Sequence, residues 1–107
     1  MGDYTAREAY DAWTAGEVAI VDCREETEHA MTRVPGVPLV PMSEIVDRVD
    51  DLPDDRPLVM LCRSGSRSAQ VADWLVANGE RDEVANLDGG IIAWAVEGLP
   101  YEGATPT

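Results

Sequence analysis

Lysine is absent. All eight basic residues of this 107-residue chain are arginines, set against 21 Asp+Glu, for a formal net charge of −13. A field of that sign repels nucleic acid and anionic lipid, so neither is an expected partner. The lysine-free acidic composition resembles that of proteins from salt-loving organisms, where a Debye length of about 3 Å at 1 M salt mutes self-repulsion. An ordinary acidic protein is the alternative.

Cysteine and histidine are scarce. Cys23 and Cys62 are too few and too far apart for a disulfide framework or a zinc site. With His29 as the single histidine, the familiar metal clusters cannot be assembled, and no cofactor is implied. A Cys-His dyad is formally open, but the spacing does not support one. No apolar run approaches the roughly 18 residues needed to span a bilayer. The stretch MGDYTAREAY lacks the basic and apolar regions of a secretory signal, so the expected compartment is the cytoplasm. What is present, 45% hydrophobic and 27% charged residues, suits a folded chain, read as one domain over residues 1–107.

The apolar pattern alternates between strand and helix. Thr5-Ala6-Arg7-Glu8 fits a capping box, predicting a first helix that ends near Ala15-Gly16. Val18–Val21 is a short β-branched run, read as a buried strand. Residues 24–36 are acidic and irregular, read as a loop with one helical turn. Pro35, Pro38 and Pro41 leave residues 37–42 at most a short edge strand. Ser43–Val49 reads as a short helix capped by its serine, with Ile45, Val46 and Val49 on one face. Leu58–Leu61 is apolar throughout, as central parallel strands are. Ser66–Asn78 reads as a helix with Val71, Ala72, Leu75 and Val76 as its core stripe and Gly79 as its stop. A strand at Val84–Leu87 and a helix at Gly90–Val96 complete the pattern. Strands alternating with helices imply an α/β sandwich around a mostly parallel sheet.

Cys62 stands where the strand Leu58–Leu61 stops, followed by Arg63, Ser64, Gly65, Ser66 and Arg67 before the next helix. Ligands of open α/β sheets bind beyond the carboxyl ends of the strands. The loop can therefore curl its N–H groups, with the helix N-terminus, around one anionic point. The same arrangement favours thiolate over thiol, and nearby arginines push the same way. Cys62 could instead be a small buried hydrophobe. Arg67 could equally be structural, paired with Asp22 or Glu28, and its five donors permit both roles.

These residues resemble the rhodanese-like sulfurtransferases. Val21-Asp22-Cys23-Arg24-Glu25 through Glu28 is similar to the family's first signature, and Pro35-Gly36-Val37 with Val40-Pro41-Met42 to its middle one. The run from Cys62 to Ser68 is similar to its active-site loop, and Leu87–Trp94 with Gly98-Leu99-Pro100 to its C-terminal signature. The resemblance implies a rhodanese-like three-layer sandwich, a mostly parallel sheet with helices on both faces. It implies Cys62 as the catalytic thiolate and Arg63, Ser64, Gly65, Ser66 and Arg67 as the substrate-binding loop. The expected reaction moves the outer sulfur of thiosulfate, or of a persulfide donor, to Cys62 and then to cyanide, a thiol or a sulfur-carrier protein. Four residues separate Cys62 from Arg67, as in the sulfurtransferases; the related phosphatases and arsenate reductases have a loop one residue longer. A persulfide carrier or a non-catalytic binding module are the other readings. Three positions depart from the family pattern: His29, where an aromatic is usual, and Thr32-Arg33, where Gly-His is usual. Cys23 stands where valine is common and is read as core packing, with a resolving thiol as the alternative.

Overall fold

In the computed structural model, residues 3–107 are described. Helix α1 spans Ala6–Thr14. Its start is fixed locally: Thr5 Oγ1 accepts the Glu8 N–H at 3.1 Å while the Glu8 carboxylate accepts the Thr5 N–H at 2.9 Å. Strand β1 (Ala19–Asp22), helix α2 (Glu26–Met31) and the two-residue strand β2 (Thr32–Arg33) follow. Then come two 3₁₀ turns at Met42–Glu44 and Val49–Asp51. Strand β3 (Leu58–Leu61), helix α3 (Ser66–Ala77), strand β4 (Val84–Asn86), helix α4 (Gly90–Val96) and strand β5 (Glu102–Gly103) complete the order.

The sheet is β1-β3-β4, all parallel, with Asp22 opposite Leu61 and Met60 opposite Asn86. Single parallel bridges widen it on both sides, Leu39 against Asp22 and Tyr4 against Leu87. β2 and β5 form a separate antiparallel pair. Because side chains alternate along a strand, each buried strand feeds two cores. Ile20, Val59, Leu61, Ala85 and Leu87 face the layer that contains Ala9 of α1 and Ile91 and Trp94 of α4. There Tyr10, Trp13 and Trp94 meet edge-to-face, with ring centroids 5.6 to 6.4 Å apart. Val21, Leu58 and Met60 face the other layer, with Val71, Ala72 and Leu75 of α3 and with Ile45 and Val49. The parity of Leu58 and Met60 continues to Cys62, which joins the α3 layer. Helices thus lie on both faces of a mostly parallel sheet, the three-layer architecture expected from the sequence.

The differences from the sequence reading are local. The acidic stretch contains a six-residue helix, α2, rather than a single turn. Its start is held at Glu25: the Glu28 carboxylate accepts the Glu25 N–H at 3.1 Å, and the Glu28 N–H donates to the Glu25 carbonyl at 3.1 Å. No residue of α2 is buried, so no apolar stripe marks it. The expected helix at Ser43–Val49 is instead the two 3₁₀ turns joined by further turns. Ser43 does not cap it, because its hydroxyl is bound to Glu25 Oε1 at 2.6 Å, and Val46 is exposed. Val76, expected in the α3 stripe, is also exposed, and Asn78 lies just past the last helical residue. Among the described residues no helix is long and apolar enough to cross a membrane.

Candidate active site

Cys62 follows β3 directly, and α3 begins four residues later. The turn between them needs a left-handed residue, and Gly65 supplies it at φ 105°. A Cβ there would also press to 3.2 Å on the Gly89 N. The turn aims its donors at one sulfur. Gly65 N–H meets Cys62 Sγ at 3.1 Å, and Ser68 Oγ lies 3.2 Å from it. Burial opposes the charged form of Cys62. The Ser68 hydroxyl and N–H, with the Gly65 and Ser64 N–H groups, outweigh it, so the thiol lies below its ordinary value.

The loop is held in this shape from behind. The N–H groups of Ile91 and Ile92, in the first turn of α4, donate to the Cys62 and Arg63 carbonyls at 2.9 and 3.2 Å. Those first-turn donors have no partner within their own helix. Binding them to the loop's carbonyls turns these carbonyls toward α4 and helps free the N–H side of the loop for the sulfur. Asn86, at the end of β4, completes the support: its Nδ2 donates to Gly65 O at 3.0 Å, and its Oδ1 makes a very short contact with Ser68 Oγ.

Ser68 has one hydroxyl hydrogen and two acceptors, Cys62 Sγ and Asn86 Oδ1. The hydrogen can serve one of them at a time. With Cys62 as a thiol, it satisfies Asn86; with a thiolate, the charge draws it to the sulfur. Ser68→Ala is therefore expected to raise the Cys62 pKa. A nucleophilic thiolate is populated only above its pKa, so the rising limb of alkylation rate against pH should move to higher pH. Iodoacetamide alkylation across a pH series measures this, and an unmoved limb would remove Ser68 from the role.

The arginines are already engaged. Arg67 makes a two-pronged bond to Glu28, both at 2.7 Å. That pairing pushes the Glu28 carboxyl down to about 2, chiefly through the Arg67 hydrogen bonds, and moves the Arg67 guanidinium further up. Of the two partners considered from sequence, Glu28 is the one found. Asp22 is taken by Arg24 instead, in a buried pair with Arg24 Nη2 at 2.7 Å from Oδ2. The Arg24 N–H and Nε add further bonds to Asp22, and Arg24 Nη2 also donates to Thr32 O. With both charges satisfied at this density, burial of the pair is tolerable. Arg63 is exposed and donates through Nε to the Thr107 oxygen at 2.6 Å. Neither Arg63 nor Arg67 is among the main causes of the lowered Cys62 thiol; backbone and Ser68 donors are.

The structure thus brings Cys62, Ser64 and Gly65 together at the sulfur, while Ser66 and Arg67 open α3 and Arg63 is exposed. Ser68 and Asn86 were not singled out from sequence. Ser68 lies in the first turn of α3, and only the packing of β4 beside β3 brings Asn86 to it. Beside the loop is a pocket of about 160 Å³ lined by Arg24, Glu28, Met31, Thr32, Arg63, Ile91 and residues 104–107. His29 and the Thr32-Arg33 departure fall in the adjoining α2–β2 segment, where Arg33 pairs with Glu102 at 2.9 Å. Among the described residues no three His, Cys, Asp or Glu side chains converge to hold a metal ion.

The family model of the rhodanese-like domain matches residues 5–97. The chain belongs to the rhodanese-like family. It is 44% identical over 84 residues to a sulfurtransferase of Allochromatium vinosum, covering 78% of each chain. It is 33% identical over 84 residues to the putative sulfurtransferase YtwF of Bacillus subtilis, covering 78% of this chain and 80% of that one. Among solved structures, a rhodanese-like domain protein from Staphylococcus aureus superposes with a TM-score of 0.79 at 35% identity, covering 94% of this chain and 97% of that one. The backbone of this rhodanese-like chain follows a plan shared with that structure.

Proposed function

We propose that this chain is a thiosulfate sulfurtransferase working through a Cys62 persulfide. The carrying observation is the donor set converging on one buried sulfur at a strand end. The Cys62 thiolate attacks the outer sulfur of thiosulfate, the S–S bond breaks, and sulfite leaves with its electron pair. The outer sulfur stays on Cys62 as a persulfide, facing the loop's N–H groups. A nucleophilic acceptor, cyanide or a thiol of a small molecule or carrier protein, then takes that sulfur and restores the thiolate. Sequence relatives named as sulfurtransferases support this reading. Intact mass after thiosulfate tests it: one added sulfur atom, removed by cyanide, is expected, and an unchanged mass would overturn thiosulfate as donor.

A second reading, a persulfide carrier charged by a partner, is favoured by one observation. Both arginines expected to hold a sulfonate are bonded elsewhere, Arg67 to Glu28 and Arg63 to Thr107. Arg67→Ala separates the two. If Arg67 swings to the donor, the KM for thiosulfate should rise several-fold with kcat less affected. If Arg67 only holds Glu28, thermal stability falls and the KM stays.

Salt should matter as well. Thiosulfate is a dianion approaching a chain of formal charge −13. At 0.01 M salt the Debye length is about 30 Å and the whole acidic surface is felt; at 1 M it is about 3 Å and only the loop's neighbours are. Thiosulfate turnover is expected to rise with potassium chloride, measured as initial rates with circular dichroism at each point. A steady fall in a fully folded protein would show that net attraction governs capture.

A further inference from the structure

Two thiols lie side by side in this fold, and sulfur transfer through Cys62 uses one of them. β1 and β3 run parallel with Asp22 opposite Leu61. The ladder continues one residue further, where the Cys23 N–H donates to the Leu61 carbonyl at 2.8 Å. Cys23 is thereby set beside Cys62 with their Cα atoms about one strand spacing apart, roughly 4.8 Å. That falls within the range of about 4.4–6.8 Å that disulfides require. Both side chains take the same face, sharing one core layer with Val21 and Met60, each two residues earlier on its strand. Both thiols are free and buried. Burial first, then the charge of Cys62 and that of Asp22, push the Cys23 thiol up to about 12. Cys23 therefore stays protonated and does not compete with Cys62 for the donor.

We infer that Cys23 is a resolving thiol, which discharges a Cys62 persulfide that meets no acceptor and leaves a Cys23–Cys62 disulfide and hydrosulfide. This rests on the persulfide reading of Cys62. In the step, Cys23 Sγ attacks Cys62 Sγ, the inner sulfur, and the bond to the outer sulfur breaks. The outer sulfur departs with that electron pair and takes the Cys23 proton, leaving as hydrosulfide. The zero-valent sulfur is reduced to sulfide while two cysteine sulfurs are oxidised to a disulfide, so no outside oxidant enters. Burial and the raised Cys23 thiol make the step slow, so an available acceptor wins. An idle persulfide is converted to a disulfide, which a thiol reductant reopens.

Wild-type, Cys23→Val and Cys23→Ala proteins are loaded with thiosulfate, freed of donor by gel filtration and held anaerobically without acceptor, while intact mass and hydrosulfide are followed. The wild type is expected to lose the added sulfur together with two hydrogens. It should release one equivalent of hydrosulfide and yield a Cys23–Cys62 linked peptide, with dithiothreitol restoring the reduced mass. Both variants should keep the added sulfur. A wild-type persulfide as durable as those of the variants, or a disulfide formed only between copies, overturns the inference. If thiosulfate loads none of the three, thiosulfate as donor fails instead, and loading with inorganic polysulfide carries the same comparison. Chains that neither reagent loads overturn both.

Discussion

Cys62→Ser is expected to abolish sulfur transfer, a loss on the order of a thousandfold or more for removal of a nucleophile. The loop explains why the loss is complete rather than partial. Its donors stabilise negative charge on a large sulfur held 3.1 Å from Gly65 N and 3.2 Å from Ser68 Oγ. A serine hydroxyl keeps its proton at neutral pH and cannot form a persulfide. The same assay on Cys23→Val should retain most of the transfer, because Cys23 is buried on β1's side and its thiol is pushed up to about 12. Thiosulfate–cyanide turnover, with intact mass on the same samples, measures both. Residual turnover in Cys62→Ser, or its loss in a folded Cys23→Val protein, would reassign the nucleophile.

Gly90→Ala is expected to damage the site as severely through the backbone alone. Gly90 has φ 60°, and a Cβ there would sit 2.5 Å from the Cys62 carbonyl oxygen and closer still to that of Arg63. The left-handed conformation costs a non-glycine residue about 1–2 kcal/mol, and forcing an extra carbon into packed backbone adds about 1–3 kcal/mol. Relief of the clash requires α4 to move off the loop, breaking the Ile91 and Ile92 bonds to the Cys62 and Arg63 carbonyls. The thiol should then return toward its ordinary pKa and transfer should fall with it. Gly16→Ala is the control: φ is 77° there, but nothing lies within 4 Å of the added carbon. Urea unfolding and alkylation against pH, run on both variants, separate strain from clash. Equal losses in the two would show that the approach of α4 to the loop does not shape the site.

Short-range chemistry made much of the fold legible in the sequence. The Thr5–Glu8 capping box, the unbroken apolar run of Leu58–Leu61 and the period of Val71, Ala72 and Leu75 each express a local preference or a burial pattern, and each appears where expected. Cys62 was conspicuous for the same reason, as a thiol where an apolar strand gives way to a small, basic loop. The sequence was misleading where a side chain's partner lay elsewhere in the chain. Ser43 has the chemistry of a helix cap, but Glu25, 18 residues away, takes its hydroxyl, and the helix gives way to 3₁₀ turns. Helix α2 carries no buried residue, so its pattern had no apolar signal to read.

The alternating apolar pattern and the loop motif determined by themselves that a parallel α/β sheet would present Cys62 at a strand end. The tertiary structure decided what surrounds that sulfur. Asn86 reaches Ser68 across 18 residues, Glu28 claims Arg67 across 39, and Thr107 claims Arg63 across 44. The register of β1 against β3 sets the second thiol beside the first. Hydrogen bonds and ion pairs act over a few ångströms in space without regard to distance along the chain. The strands and helices could therefore be read from neighbouring residues, whereas the partners of the loop existed only once the sheet had brought them together.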